Sequence, residues 1–118
     1  MDDDEKLLPF GEAAPGATGL ELLLSLTLKW ATERAGNPDM LARAIAKITS
    51  DPARILQLPC GNLKAGEKAD ICLFDPSATW TVEASKLASQ GKHTPFLGRE
   101  IPGRVRLTLV EGRIAFER

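Results

Sequence analysis

The stretch RVRLTLVEGRIAF, residues 104–116, decides the class of fold. Val105, Leu107 and Leu109 alternate with polar residues, which is the period of a strand with one buried face. Glu111-Gly112 then supplies a short turn before the alternation resumes. A two-residue turn between alternating runs predicts a β-hairpin at the end of the chain.

Two further β-rich runs lie upstream of this hairpin. The apolar run Asp70–Phe74 is followed by Asp75-Pro76, so we expect a strand that ends there. Thr79–Val82 is also β-rich and predicts another strand. Between these runs and the hairpin, Ala84–Ser89 predicts one or two helical turns.

The first half of the chain has the period of helices. Thr18-Gly19-Leu20-Glu21 fits a capping box, and the helix that follows it is expected to stop at Gly36. Asn37-Pro38 and Asp51-Pro52 each place an N-cap residue before a proline, which predicts a second helix and a short third one. The first helix is apolar nearly all round, so we expect more than one neighbour to cover it. Its second apolar side is formed by Leu22, Leu26 and Trp30.

Helices that precede strands predict an α+β protein. We divide the chain into a helical part, residues 1–58, and a β-rich part, residues 59–118. The 118 residues are too few for a complete (β/α)₈ barrel, which needs about 200. Because a domain rarely begins with a long loop, the loop-like start before Thr18 leads us to expect that preceding structure is missing.

Composition and charge exclude several classes of protein. Fifteen basic and sixteen acidic side chains give a net charge of −1, so the chain lacks the basic excess of nucleic-acid-binding proteins. No apolar run reaches the ~20 residues of a membrane span. The acidic start Asp2–Glu5 is expected to be solvated and does not resemble a signal peptide. We therefore expect a cytoplasmic protein that binds neither membrane nor nucleic acid.

Residues that bind metals or act as nucleophiles are scarce. His93 is the only histidine and lies in a loop-like stretch, so we expect no histidine-based metal site. Cys60 and Cys72 have neither CxxC spacing nor a histidine neighbour, and we expect two small buried thiols. The sequence therefore predicts no catalytic residue and no metal ligand in this chain.

Four short motifs share an order and a spacing over nearly the whole chain. They are Glu5–Phe10 followed by Glu12–Gly16 and Gly19-Leu20-Glu21, Pro52–Leu56, Gly61–Ile71, and Gly91–Gly98 followed by Gly103-Arg104-Val105. Together they resemble the C-terminal end of the dihydroorotases of the amidohydrolase superfamily. The resemblance implies the last helices of a (β/α)₈ barrel followed by a small β-rich domain with a C-terminal hairpin.

The resemblance also implies a chemistry. Catalytic members hold zinc through histidines, a carboxylated lysine and an aspartate, and bound hydroxide attacks a ring amide. In this chain those ligands would lie upstream, so no cofactor is expected within these 118 residues. Family members contact substrate through the backbone of a loop that Ala14-Pro15-Gly16 matches. Pro15 and Gly16 are thus the candidate substrate-binding residues, and only Gly16 keeps a backbone donor.

The sequences of Asp2–Phe10 and Glu12–Leu24 most resemble those of a noncatalytic branch, whose members assemble with aspartate carbamoyltransferase. This resemblance implies a structural, dihydroorotase-like chain of de novo pyrimidine synthesis. A second hypothesis is a piece of an active zinc dihydroorotase that needs a separate N-terminal barrel portion. A third is an unrelated α+β ligand-binding module, which would require a concave apolar pocket.

Overall fold

The computed structural model describes residues 3–34 and 39–118. Three helices come first: α1 (Leu23–Glu33), α2 (Met40–Ile48) and α3 (Ser50–Ile55). Three strands follow: β1 (Ile71–Thr81), β2 (Glu100–Val110) and β3 (Arg113–Glu117). Single 3₁₀ turns cover Asp3–Lys6, Leu20–Leu22 and Ala84–Lys86. This order confirms the predicted α+β class, while the predicted helix stop at Gly36 and the cap at Asn37-Pro38 lie outside the described residues.

The strands form one antiparallel sheet in the order β1-β2-β3. The predicted hairpin is confirmed, because Val110 pairs with Arg113 across the two residues Glu111 and Gly112. Both turn residues have positive φ, 51° and 78°. That combination is the type I′ turn, whose twist matches the twist of the strands on either side.

Strand β1 is longer than the sequence predicts. Asp75-Pro76 does not end it, and the two predicted strands are one strand with an irregularity between Asp75 and Thr79. The Asp75 side chain accepts hydrogen bonds from the Ser77 N–H at 2.9 Å and the Ala78 N–H at 3.2 Å. These bonds hold the looped-out residues, so pairing with β2 resumes at Thr79, opposite Pro102.

Helix α1 packs directly on the backbone of β2. Gly103 has φ +84°, and a Cβ there would lie 2.2 Å from a methyl carbon of Leu28. Ser25, almost fully buried, donates a hydrogen bond to the Gly103 carbonyl at 2.8 Å and accepts one from the Trp80 indole N–H at 3.2 Å. The absence of a side chain at Gly103 thus allows close approach of helix and strand.

The core lies between the start of α1 and the sheet. Leu22, Val82, Leu87 and Ile101 are its buried members, with Leu26, Trp80 and Phe96 packed around them. Leu22 was expected on a side of the first helix that needs a partner, but it is fully buried within this chain. The division at residues 58 and 59 stays a prediction.

Helix α3 begins two residues earlier than its cap signal predicts. Asp51 was expected to be the N-cap, but it lies inside the first turn of α3 and Thr49 takes the cap position. The Asp51 carboxylate instead contacts Lys47 at 3.0 Å and Arg54 at 3.2 Å. Hydrogen bonds from Lys47 and Arg54 lower the pKa of Asp51. Among the described residues, no helix combines the length and apolar character needed to cross a bilayer.

Candidate functional site

The candidate substrate-binding residues Pro15 and Gly16 lie in an exposed segment ahead of α1. Gly16 has φ +94°, a conformation that suits glycine. Within the part of the chain that the structure describes, the backbone N–H groups of Gly16 and Ala17 have no hydrogen-bond acceptor. The segment therefore presents two unpaired backbone donors to solvent, and its assignment to substrate stays a prediction.

Lys6 holds this segment from the upstream side. Its ammonium group donates hydrogen bonds to the carbonyls of Ala14 and Gly16, which flank Pro15. The Ala14 N–H also donates to the Glu5 carbonyl at 3.1 Å. The segment 14–16 is thus tied to the 3₁₀ turn that ends at Lys6.

Thr18 holds the segment from the downstream side. The Thr18 N–H donates to the His93 carbonyl at 2.7 Å, and the Thr18 hydroxyl donates to the Gly91 carbonyl at 2.8 Å. A Cβ at Gly91 would lie 2.8 Å from that hydroxyl oxygen, so the contact needs a residue without a side chain. The predicted loop position of His93 is confirmed: it is exposed, and only its backbone takes part here.

Glu21 extends this attachment to the 3₁₀ turn before α1. The predicted capping box at Thr18–Glu21 is wrong, because no side chain caps that turn and Glu21 reaches a different segment. Its two carboxylate oxygens accept hydrogen bonds from the Ala88 and Ser89 N–H groups, each at 3.0 Å. The sequence gives no signal for this contact, because the partners are 67 and 68 residues away.

The electrostatics of Glu21 follow from these contacts. Burial by itself would raise the pKa of the carboxyl, but hydrogen bonds from Ser89 and Ala88 and the charge of Lys92 act in the opposite direction. The net result is a pKa below the ordinary value for glutamate. Glu21 is therefore ionised at neutral pH and clamps the segment 87–92 to the start of α1.

The described residues do not fit the zinc that the resemblance implies for catalytic family members. In residues 3–34 and 39–118, no three histidine, cysteine, aspartate or glutamate side chains converge on a common point. Cys60 and Cys72 were expected to be buried, but both are exposed free thiols. Partial desolvation raises the pKa of the Cys72 thiol, which disfavours the reactive thiolate. We therefore assign no step to zinc in this chain.

Comparison with known proteins places these features in a family. A profile described as the amidohydrolase family matches residues 29–116. A dihydroorotase of Geobacter metallireducens is 44% identical over 115 residues, which are 98% of this chain and 26% of that protein. A dihydroorotase-like protein of Pseudomonas putida is 43% identical over 111 residues, 94% of this chain and 25% of that protein. The chain thus spans about a quarter of the length of these relatives.

Solved structures share the arrangement of helices and sheet. A D-hydantoinase (dihydropyrimidinase) from Thermus sp. matches 99% of this chain and 26% of its own, with a TM-score of 0.83 and 23% identity. An L-hydantoinase from Arthrobacter aurescens matches 91% of this chain and 24% of its own, with a TM-score of 0.76 and 29% identity. The resemblance drawn from the motifs is confirmed, and the chain belongs to the amidohydrolase family.

Proposed function

We propose that these residues form the closing portion of a dihydroorotase-like protein of de novo pyrimidine synthesis. In this role they supply the substrate-contacting loop at Pro15 and Gly16 and a surface on which a barrel portion packs. They contribute no metal ligand and no catalytic group of their own. The proposal is supported by relatives named dihydroorotase, which match almost all of the chain.

The observation that carries the proposal is the amount of surface left uncovered. The chain exposes 8633 Å², whereas a compact monomer of this mass exposes about 6,200 Å². Its radius of gyration is 16.5 Å, against about 13.5 Å for a compact domain of the same length. The excess of roughly 2,400 Å² is in the range that large, stable protein interfaces bury.

Much of this uncovered surface is apolar. On the helical side, Leu20 and Leu23 stand exposed, and a shallow depression of about 370 Å³ opens between α1 and α2. Leu26, Thr27, Trp30 and Lys47 line that depression. On the sheet, Leu73 is 58% exposed and Ile114 is 62% exposed. Monomers rarely leave such patches open, so we propose that a barrel portion, on the same polypeptide or on another, covers them.

In the first form of this proposal, this chain and its barrel portion together are a noncatalytic, cytoplasmic partner of aspartate carbamoyltransferase. It is tested by purifying the assembled protein and measuring its zinc content, its hydrolysis of dihydroorotate and its mass with and without aspartate carbamoyltransferase. We expect a larger complex with the transferase and no hydrolysis. Stoichiometric zinc with dihydroorotate turnover would contradict the noncatalytic role.

The second candidate is a catalytic dihydroorotase whose metal centre lies wholly on the barrel portion. It is favoured by the two backbone donors at Gly16 and Ala17, which are exposed and available to bind a substrate. A chimera separates the chain's contribution from that of the barrel. We expect the dihydroorotase of Geobacter metallireducens to stay active when its matching quarter is replaced by these 118 residues. A folded but inactive chimera would show that this loop cannot support substrate binding.

A further inference from the structure

We propose that Lys6 is a positioning residue, whose ammonium group fixes the Pro15–Gly16 peptide so that its N–H stays free for a ligand. The identity of the ligand in this inference rests on the proposed function. The positioning by Lys6 is independent of that function, because it follows from the contacts of the Lys6 side chain. The sequence gives Lys6 no role of its own: it lies outside the predicted helices and strands and enters only as part of the Glu5–Phe10 motif of the resemblance.

The argument begins with the planarity of the peptide bond. Each carbonyl shares a rigid plane with the N–H of the next residue, and in a trans peptide the two groups point in opposite directions. Lys6 binds the Ala14 carbonyl, which fixes the Ala14–Pro15 plane. It also binds the Gly16 carbonyl, which fixes the Gly16–Ala17 plane and turns the Ala17 N–H away from the ammonium group.

The peptide between these two planes carries the Gly16 N–H. With its neighbours fixed, its orientation depends on rotation at Pro15 and Gly16 alone. The proline ring holds φ of Pro15 near −65°. Gly16 is the flexible element, because glycine enters positive φ about as readily as negative φ. Lys6 therefore restrains the one residue in the segment that would otherwise rotate freely.

Alternative anchors cannot replace this restraint. The contacts of Thr18 with Gly91 and His93 begin two residues after Gly16 and leave both flanking carbonyls unbound. The Glu5 carbonyl holds Ala14 through its N–H and does not reach Gly16. Lys6 alone, among the described residues, spans both sides of the candidate peptide.

The test compares Lys6→Met with Lys6→Arg and with the control Lys64→Met. Methionine keeps the length and apolar stem of the side chain but removes the donors. Arginine keeps the charge and has enough N–H groups to reach two carbonyls. Lys64 is exposed, and its side chain makes no hydrogen bond or ion pair with the described residues, so its replacement controls for loss of one positive charge.

The first measurement is backbone ¹⁵N relaxation of the 118-residue chain. In Lys6→Met we expect the order parameters of Gly16 and Ala17 to fall from about 0.85 to below about 0.6, while core amides such as Val82 stay unchanged. Lys6→Arg restores them, and Lys64→Met leaves them alone. Unchanged order at Gly16 in a folded Lys6→Met chain would overturn the proposal. If Lys6→Met fails to fold, Lys6→Leu, which also lacks a donor, is measured in its place with the same criterion.

The second measurement is calorimetric titration of dihydroorotate into the assembly of the chain with its barrel portion. Removal of Lys6 is expected to raise the Kd about tenfold, and Lys6→Arg is expected to recover most of the loss. Equal Kd values for wild type and Lys6→Met would overturn the positioning role while the proposed function stood. A wild-type assembly that does not bind dihydroorotate would overturn the substrate-contacting role of the loop in the proposed function, and the relaxation result would then decide the role of Lys6.

Discussion

Gly103 shows how one missing side chain sets the distance between a helix and a strand. The Ser25 hydroxyl reaches its carbonyl, and a Leu28 methyl group occupies the place where a Cβ would stand. The positive φ of Gly103 adds a second reason for glycine at this position. The close contact with Leu28 and the positive φ therefore both favour glycine at position 103.

Gly103→Ala is expected to destabilise the chain strongly. Backbone strain at positive φ adds about 1–2 kcal/mol, and the clash with Leu28 adds about 1–3 kcal/mol. Gly98→Ala is the matched control, because Gly98 also has positive φ, +75°, but has open space around it. Urea unfolding of both variants checks the difference. Equal losses for the two would mean that the contact with Leu28 relaxes without cost.

Glu21 makes the stability of the chain depend on pH. Its pKa is lower in the folded chain than in the unfolded chain, so its contribution is present above the unfolded value and is lost as pH falls through the folded value. We expect Glu21→Gln to be less stable than wild type at pH 7, with the gap closing as the pH drops below about 4. Denaturant unfolding across that range measures the gap. The control Glu67→Gln removes an exposed carboxylate and should leave the stability at pH 7 close to that of wild type.

At the scale of elements, the hairpin and helix α1 could be predicted because each depends on residues that are close together in the sequence. The alternation in residues 104–116 gave the hairpin, and the apolar period gave α1. The continuity of β1 does not follow from the sequence, because Asp75-Pro76 is a common stop signal. The hydrogen bonds that the Asp75 carboxylate accepts from the Ser77 and Ala78 N–H groups fit an irregularity within a strand as well as a turn that ends one.

The same distinction between local and distant contacts applies to the candidate site. Pro15 and Gly16 were identified through a motif that is contiguous in sequence. The contacts that hold them were not, because Lys6 acts across 8 and 10 residues and Glu21 across 67 and 68. Periodicity does not encode such separations, and the capping-box signal at Thr18–Glu21 even pointed to a different partner for Glu21.

The hairpin turn offers a stabilising substitution. Glu111 occupies positive φ, where asparagine is far better tolerated than glutamate. Glu111→Asn loses an exposed ion pair with Lys68, but such pairs contribute only about 0–1 kcal/mol. We expect a net gain of roughly 0.5–1 kcal/mol, seen as a rise of a few degrees in Tm. Glu111→Ala, which loses the same ion pair, should not show this rise.

At the scale of the whole molecule, the sheet is covered unevenly. Helix α1 packs against β2 near Gly103, while the far end of the sheet has no helix against it within the described residues. Ile71, Leu73, Leu109 and Ile114 lie in this uncovered region, where Ile71 is paired with Leu109 and Leu109 with Ile114. This apolar end of the sheet is part of the surface that we assign to the barrel portion.

The chain without a barrel portion is therefore expected to associate weakly with itself, because exposed apolar sheet surface promotes contact between copies. Replacing Leu73 and Ile114 together by threonine keeps β propensity and removes apolar surface that contributes little to the folded monomer. We expect this double variant to sediment as a monomer at concentrations where wild type shows heavier species, with a Tm close to that of wild type. Leu97→Thr is the control, since it removes an exposed apolar side chain outside the sheet and should leave association unchanged. A wild-type chain that stays monomeric at high concentration and binds no apolar dye would show that this surface does not need a cover, and would remove the main support for the proposed assembly.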